Sequence, residues 1–158
     1  MDRQTILKTM SLAISNVMDT MFFEPVEIRD EDRSLSEWFS GNDELVGARL
    51  NFNGLFSGSC HLLMSMKLAR ELTANFLGID ETDTERLQLE DTIREALNII
   101  AGHMFSILDK DGKIVLGIPE LIDNELLGRD RLSEFEGENI FVTTEQERLA
   151  AGFNTVEV

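Results

Sequence analysis

The chain has 158 residues, 42% of them hydrophobic and 28% charged, which is enough apolar material for one packed core. Thirty acidic residues against fourteen basic ones give a formal net charge of -16. Because this charge repels phosphate backbones and anionic lipids, it argues against nucleic-acid binding and against membrane-surface roles. It would attract a basic partner, although solubility alone is a simpler explanation of the acidity.

The number of cysteines and the hydropathy pattern exclude further classes of protein. Cys60 is the only cysteine, which excludes an intramolecular disulfide and a cysteine-rich metal site. It lies in the apolar run 59–64, where a buried and unreactive thiol is the usual outcome. No apolar stretch approaches the roughly 18 residues of a membrane span, and the N-terminus has no signal-peptide pattern. We therefore expect a cytoplasmic protein with no membrane partner.

The chain opens with a predicted helix, because apolar residues recur there at helical spacing. They are Ile6, Leu7, Met10, Ala13, Ile14, Val17, Met18, Met21 and Phe22. Pro25 ends this helix and leads into extended chain. The polar and acidic segment 30–43, which contains Trp38, is predicted to be a loop or an irregular excursion.

An antiparallel hairpin follows the loop. Residues 46–53 alternate between apolar and polar, the pair Asn53-Gly54 is typical of a tight turn, and residues 56–64 return as the second strand. Residues 67–77 then predict a short helix. The first half of the chain therefore consists of a helix, a proline-containing extended piece and a hairpin.

The second half repeats this order. A long helix is predicted from about residue 86 to 108, and residues 113–122, which include Pro119, are predicted to be extended. Residues 123–138 are polar and are interpreted as a loop.

The last segments predict a final hairpin, residues 140–144 and 149–158. A short helix over 144–151 is an alternative, because Thr144 and Glu147 resemble a capping box. The halves share a pattern and little residue identity, and no linker separates them. We expect one domain over residues 1–158.

The long helix carries the most informative pattern, since its two faces differ in chemistry. The predicted core face consists of Leu89, Ile93, Ala96, Leu97, Ile100, Met104, Ile107 and Leu108. Asp91, Glu95, Asn98 and Gly102 fall on the opposite side, within an arc of roughly 60°. Asn and Gly are poor helix formers, so this face is unusual. On spacing alone the ordinary interpretation is preferred: Gly102 permits helix packing, and Asn98 is simply exposed.

The same run carries a resemblance to a known family. Asp91, Glu95 and Asn98, followed twenty-one positions later by Pro119, resemble the signature of the CheC/CheX/FliY-type chemotaxis phosphatases. That signature is an Asp or Ser, then a Glu, then an Asn, with a proline some twenty residues on. The resemblance implies an α/β fold of the α+β type, in which a pseudo-repeat of helix plus antiparallel hairpin forms one mixed sheet against two long helices.

Within this family the chain is most similar to CheX. Residues 14–19 of the first helix contain no second Glu-x-x-Asn motif, which implies one active site per chain. The length leaves no room for the flagellar-switch segments of FliY-type members. The resemblance also implies a homodimer in which a sheet continues or exchanges across the interface.

The resemblance implies a role for each residue of the motif. The substrate would be the phospho-aspartate of a CheY-like response regulator in two-component signalling. Asn98 would orient the attacking water, and Glu95 would dock the regulator through a lysine near its phosphorylation site. Asp91 would be a peripheral acceptor on the partner surface, and Gly102 would allow close approach. No metal site and no cofactor of its own are expected, since the Mg2+ belongs to the partner regulator.

Two other interpretations remain open. The domain could be a non-catalytic binding module for a phosphorylated regulator or a flagellar-switch component. An Asn98 amide held by intramolecular hydrogen bonds would favour that module, whereas a free amide would favour the phosphatase. An enzyme of another class has no nucleophile or metal motif to support it, and His61 and His103 are interpreted as structural.

Overall fold

The computed structural model describes residues 2–30, 32–39, 44–128, 131–135 and 137–156. Within these ranges there are four α-helices: α1 (Arg3–Met21), α2 (Leu35–Trp38), α3 (Met66–Leu77) and α4 (Arg86–Leu108). The strands of the same ranges are β1 (Glu27–Arg29), β2 (Leu45–Asn53), β3 (Ser57–Ser65), β4 (Val115–Leu116), β5 (Glu120–Leu121), β6 (Glu138–Thr143) and β7 (Arg148–Val156). The predicted α+β class, both long helices and both hairpins are confirmed.

The strands form one sheet in the order β1-β6-β7-β3-β2-β4, and β5 also pairs with β2. Every described pairing is antiparallel, so the sheet is antiparallel where a mixed sheet was expected. The reason lies in the connections. Hairpins join β2 to β3 and β6 to β7, and β3 lies beside β7 from the other half of the chain.

The sheet order contains the repeat that the sequence pattern predicts. Exchanging α1, β1, β2 and β3 with α4, β4–β5, β6 and β7 gives the same order read from the opposite edge. The centre of the sheet is the pair β3–β7, in which His61 lies opposite Gly152. The two halves are therefore related by an approximate twofold axis that passes between these strands.

Helices α1 and α4 pack side by side and bury one face of the sheet. Leu89, Ile93, Ala96, Leu97, Ile100 and Met104 of the predicted core face are buried. The prediction is wrong for Ile107, which is 43% exposed, and Leu108 is only half-buried. Phe105 is buried instead, since its ring packs 4.8 Å from that of Phe52 and turns the last helical turn toward this aromatic neighbour.

The other face of the sheet carries a second apolar cluster around Trp38. The predicted loop over 30–43 is wrong in its centre, where Ser34 and Glu37 form a capping box that starts the one-turn helix α2. Trp38 is buried, its indole Nε1 donates to the carbonyl oxygen of Leu149 at 3.1 Å, and the Arg148 guanidinium lies over its ring. Residues 31 and 40–43 of that prediction lie outside the described residues.

The segment after β5 also differs from the prediction. Short 3-10 turns occupy Asn124–Leu127 and Leu132–Phe135 within the predicted loop over 123–138. The alternative helix over 144–151 is wrong. The Thr144 hydroxyl does accept from the backbone amide of Glu147 at 3.0 Å, but this bond closes the turn between β6 and β7. The capping-box pattern of Thr144 and Glu147 therefore belongs to a hairpin turn and not to the start of a helix.

Candidate active site

Helix α4 is a rigid support for its outer face. A capping box between Glu85 and Gln88 starts the helix, and buried side chains run along its inner face from Leu89 to Met104. Because the inner face is packed against α1 and the sheet, the directions of the outward side chains are set by the helix itself.

Glu95 and Asn98 lie on this outer face, and both are exposed. They are three residues apart, so their Cβ atoms are about 5–6 Å apart and both side chains reach one external point. Neither side chain has a hydrogen-bond partner among the residues that the structure describes. The amide of Asn98 is therefore available to a ligand and is not tethered within the described chain.

Gly102 leaves an open surface one turn beyond Asn98. A Cβ built at Gly102 would meet no atom of the described chain within 4 Å, its own helix backbone apart. The ordinary interpretation of this glycine, close packing against another helix, is therefore wrong. Its missing side chain instead leaves backbone accessible beside the Asn98 amide.

Asp91 is less available than the sequence interpretation assumed. Its carboxylate is paired with the Arg94 guanidinium one turn along the helix, and both groups face solvent. The charge spacing of three residues is the signal that could have revealed this pair. Leu87, 72% exposed and one turn before Asp91, extends the same face and was also missed.

The first helix has no second copy of this site. Matching the buried faces of α1 and α4 places Leu12 where α4 has Glu95, and Ser15 where it has Asn98. Leu12 is 58% exposed. One active site per chain stays a prediction.

The cysteine and the two histidines are wholly or partly buried in the fold. His61 lies in β3 with its Nε2 2.6 Å from Oδ1 of Asn139, and burial lowers its pKa. Burial raises the pKa of the Cys60 thiol to about 12, so this thiol is unreactive. His103 sits half-buried on the flank of α4.

The described residues also bear on metal binding and on membrane insertion. Across the described ranges, no group of three or more His, Cys, Asp or Glu side chains could hold a metal ion. None of the helices in the described part of the chain combines the length and apolar character that a bilayer-spanning helix needs.

Comparison with known proteins gives one family. The family model described as chemotaxis phosphatase CheX matches residues 46–143, a range that includes the whole of α4. No curated protein sequence matches the chain.

Solved structures of this group share the fold. A CheX from Borrelia burgdorferi, in a CheX-CheY-BeF3-Mg2+ complex, has a TM-score of 0.73 and 20% identity, and the match covers 96% of this chain and 98% of that one. CheX from Vibrio vulnificus has a TM-score of 0.68 and 15% identity, with 94% and 96% covered. FliY from Thermotoga maritima has a TM-score of 0.61 and 9% identity, with 96% and 90% covered.

Proposed function

The chain belongs to the CheX family of chemotaxis phosphatases, and on that premise we propose that it hydrolyses the phospho-aspartate of a CheY-like response regulator. The observation that carries the proposal is the exposed and unpartnered amide of Asn98 beside the open surface at Gly102. The Borrelia burgdorferi CheX, which shares the fold, was solved with CheY, BeF3 and Mg2+.

Asn98 orients the attacking water in this proposal. An acyl phosphate is already activated, so catalysis depends on positioning more than on a strong base. The Asn98 side-chain oxygen accepts a hydrogen bond from the water, and its NH2 group donates to the regulator. The water oxygen bonds to phosphorus as the bond to the aspartyl oxygen breaks. Inorganic phosphate leaves, the carboxylate is restored, and the protons pass to phosphate and solvent. The Mg2+ is supplied by the regulator.

Glu95 docks the regulator. It lies one turn from Asn98 and has no cation within the described chain to satisfy it, so its carboxylate is available to a lysine of the partner. Gly102 lets partner backbone approach the helix. The Asp91–Arg94 ion pair flanks the contact.

The test is the decay of phosphate on a purified CheY-like regulator with wild type, Asn98→Ala and Glu95→Ala. Wild type accelerates decay, Asn98→Ala abolishes the acceleration but still binds, and Glu95→Ala binds weakly. Asn16→Ala, an exposed asparagine on α1, is the matched control and keeps full activity. Binding without any acceleration by wild type would replace the phosphatase with a non-catalytic module.

The homodimer implied by the resemblance is assigned here to the sheet edge formed by β4 and β5. Ile118, between these strands, is 84% exposed, and Val115 is also exposed. An apolar strand edge with unpaired backbone groups is a template for pairing with a second copy. In light scattering, wild type has twice the chain mass and Ile118→Lys has the chain mass. Ile28→Lys, on the opposite edge strand β1, remains dimeric; a monomeric wild type would refute the assignment.

A further inference from the structure

An exposed apolar patch lies where the C-terminal ends of α1 and α3 meet. Phe23 is 68% exposed, and Met21, Phe76 and Leu77 are also exposed. The ring of Phe76 packs 5.3 Å from the buried ring of Phe22, which joins the two helix ends. We call Met21, Phe23, Phe76 and Leu77 the phenylalanine patch.

The backbone holds Phe23 in a costly conformation. Its φ of 53° is left-handed, which is rare for a bulky side chain and is the position that glycine usually takes after a helix. The amide of Glu24 donates to the Met18 carbonyl at 2.9 Å, and Asn75 Nδ2 donates to the Phe22 carbonyl at 2.9 Å. These bonds fix the strained turn and direct a large apolar ring into solvent.

Several carboxylates lie on the side of the patch next to Phe23. Glu24 follows Phe23, and burial together with the charges of Glu145 and Glu81 raises its pKa. Burial also raises the pKa of Glu71 in α3, as do Glu24, Glu81 and Glu147, whereas Lys67 lowers it. Glu24 therefore lies near Glu81 and Glu145, and the side of the patch next to Glu24 is negatively charged, whereas Glu147 is paired with Lys67 at 3.6 Å.

We propose that the phenylalanine patch is a docking surface for a basic amphipathic segment of a partner protein. Apolar side chains of that segment cover Phe23 and Phe76, and its lysines or arginines pair with Glu24, Glu81 and Glu145. Apolar patches with a polar rim are typical of protein interfaces, and here the rim determines the sign of the partner. The same rim repels an anionic membrane surface.

The docking surface and the proposed catalytic residues lie on different elements. Phe23 and Glu24 follow α1, and Phe76 lies in α3, whereas Glu95 and Asn98 project from α4. The peptide-binding assay and the phosphatase assay therefore use substitutions on different elements. Failure of the docking proposal and failure of the proposed function are consequently distinguishable.

The test uses two labelled peptides and fluorescence anisotropy at about 0.15 M salt, where charges are screened beyond about 8 Å. The first peptide is helical, with leucines on one face and lysines elsewhere, and the second has every leucine replaced by serine. The first binds wild type at least about tenfold more tightly than the second, as a buried aromatic anchor requires. Phe23→Asn weakens the first peptide by a similar factor, and Glu24→Gln reduces the dependence of affinity on salt.

Phe23→Asn is suited to this test because asparagine tolerates left-handed backbone, so the turn is retained. Leu12→Asn removes an exposed apolar side chain of α1 outside the phenylalanine patch and is the matched control, with affinity unchanged. Amide chemical-shift changes on binding are concentrated at 21–24 and 75–77. Equal binding of the two peptides, unchanged affinity of Phe23→Asn, or no binding by wild type would each overturn the proposal.

Discussion

Gly102 has opposite effects on stability and on function at the scale of a single residue. Because a Cβ there meets nothing within the described chain, Gly102→Ala adds helix propensity at no packing cost. Chemical denaturation is expected to show a free energy of unfolding higher by about 1 kcal/mol. Phosphatase activity on a CheY-like regulator falls, since the added methyl group keeps partner backbone away from Asn98. A variant that is both stabilised and fully active would contradict the role of Gly102 as a contact surface.

His61 makes the stability of the protein depend on pH. Burial lowers its pKa below the ordinary 6.5, Arg49 adds to this effect, and the bond to Asn139 opposes it. At pH values between the two pKa values, His61 is protonated in the unfolded chain but not in the folded chain. Stability therefore decreases as pH falls below about 6.5. The loss is about 1.4 kcal/mol for each pH unit between the two pKa values. Urea titrations at several pH values check this, and His61→Gln has a shallower slope; an equal slope would remove His61 as the cause.

At the scale of elements, Asp109 couples the end of α4 to the strand that follows. Its buried carboxylate accepts from the backbone amide of Ile114, just before β4, and its amide caps the helix through the Phe105 carbonyl. Asp109→Ala leaves the backbone amide of Ile114 without its partner and lowers the free energy of unfolding by about 1–3 kcal/mol. Asp111→Ala, an exposed aspartate in the same turn, is the control and changes stability little. Equal effects of the two variants would argue against the coupling.

The elements also show how far sequence reasoning reaches. Helices α1, α3 and α4 and both hairpins follow from apolar periodicity, which is a local property of the chain. Trp38 and α2 do not, because the burial of that tryptophan depends on a carbonyl and a guanidinium more than a hundred residues away. Phe105 was missed for the same reason, since Phe52 is its partner.

The candidate site divides in the same way. The shared exposure of Glu95 and Asn98 follows from helical spacing alone. The open space around Gly102 depends on what lies beyond the helix, and only the fold reveals it. The roles of these residues stay predictions until the regulator assay is done.

At the scale of the whole molecule, the charge of -16 opposes folding through self-repulsion. Burial is the main cause that raises the pKa values of Glu24 and Glu71, and neighbouring carboxylates raise them further. Raising sodium chloride from about 0.01 M to 0.15 M shortens the Debye length from about 30 to 8 Å, so the melting temperature is expected to rise. Calorimetry checks this, and Glu71→Gln shows a smaller rise than wild type. A melting temperature independent of salt would mean that self-repulsion contributes little.

The approximate twofold axis between β3 and β7 has a consequence for folding. The central strand pair joins residues from opposite halves of the chain, and neither half covers its own inner edge. Pairing β3 with β7 requires the closure of a long loop before the contacts that stabilise it can form. This raises contact order and slows folding. Each half alone would expose a bare strand edge, so the nascent N-terminal half is vulnerable to aggregation until β7 has been synthesised. Two separately expressed halves would for the same reason act as complementary fragments that assemble only with each other.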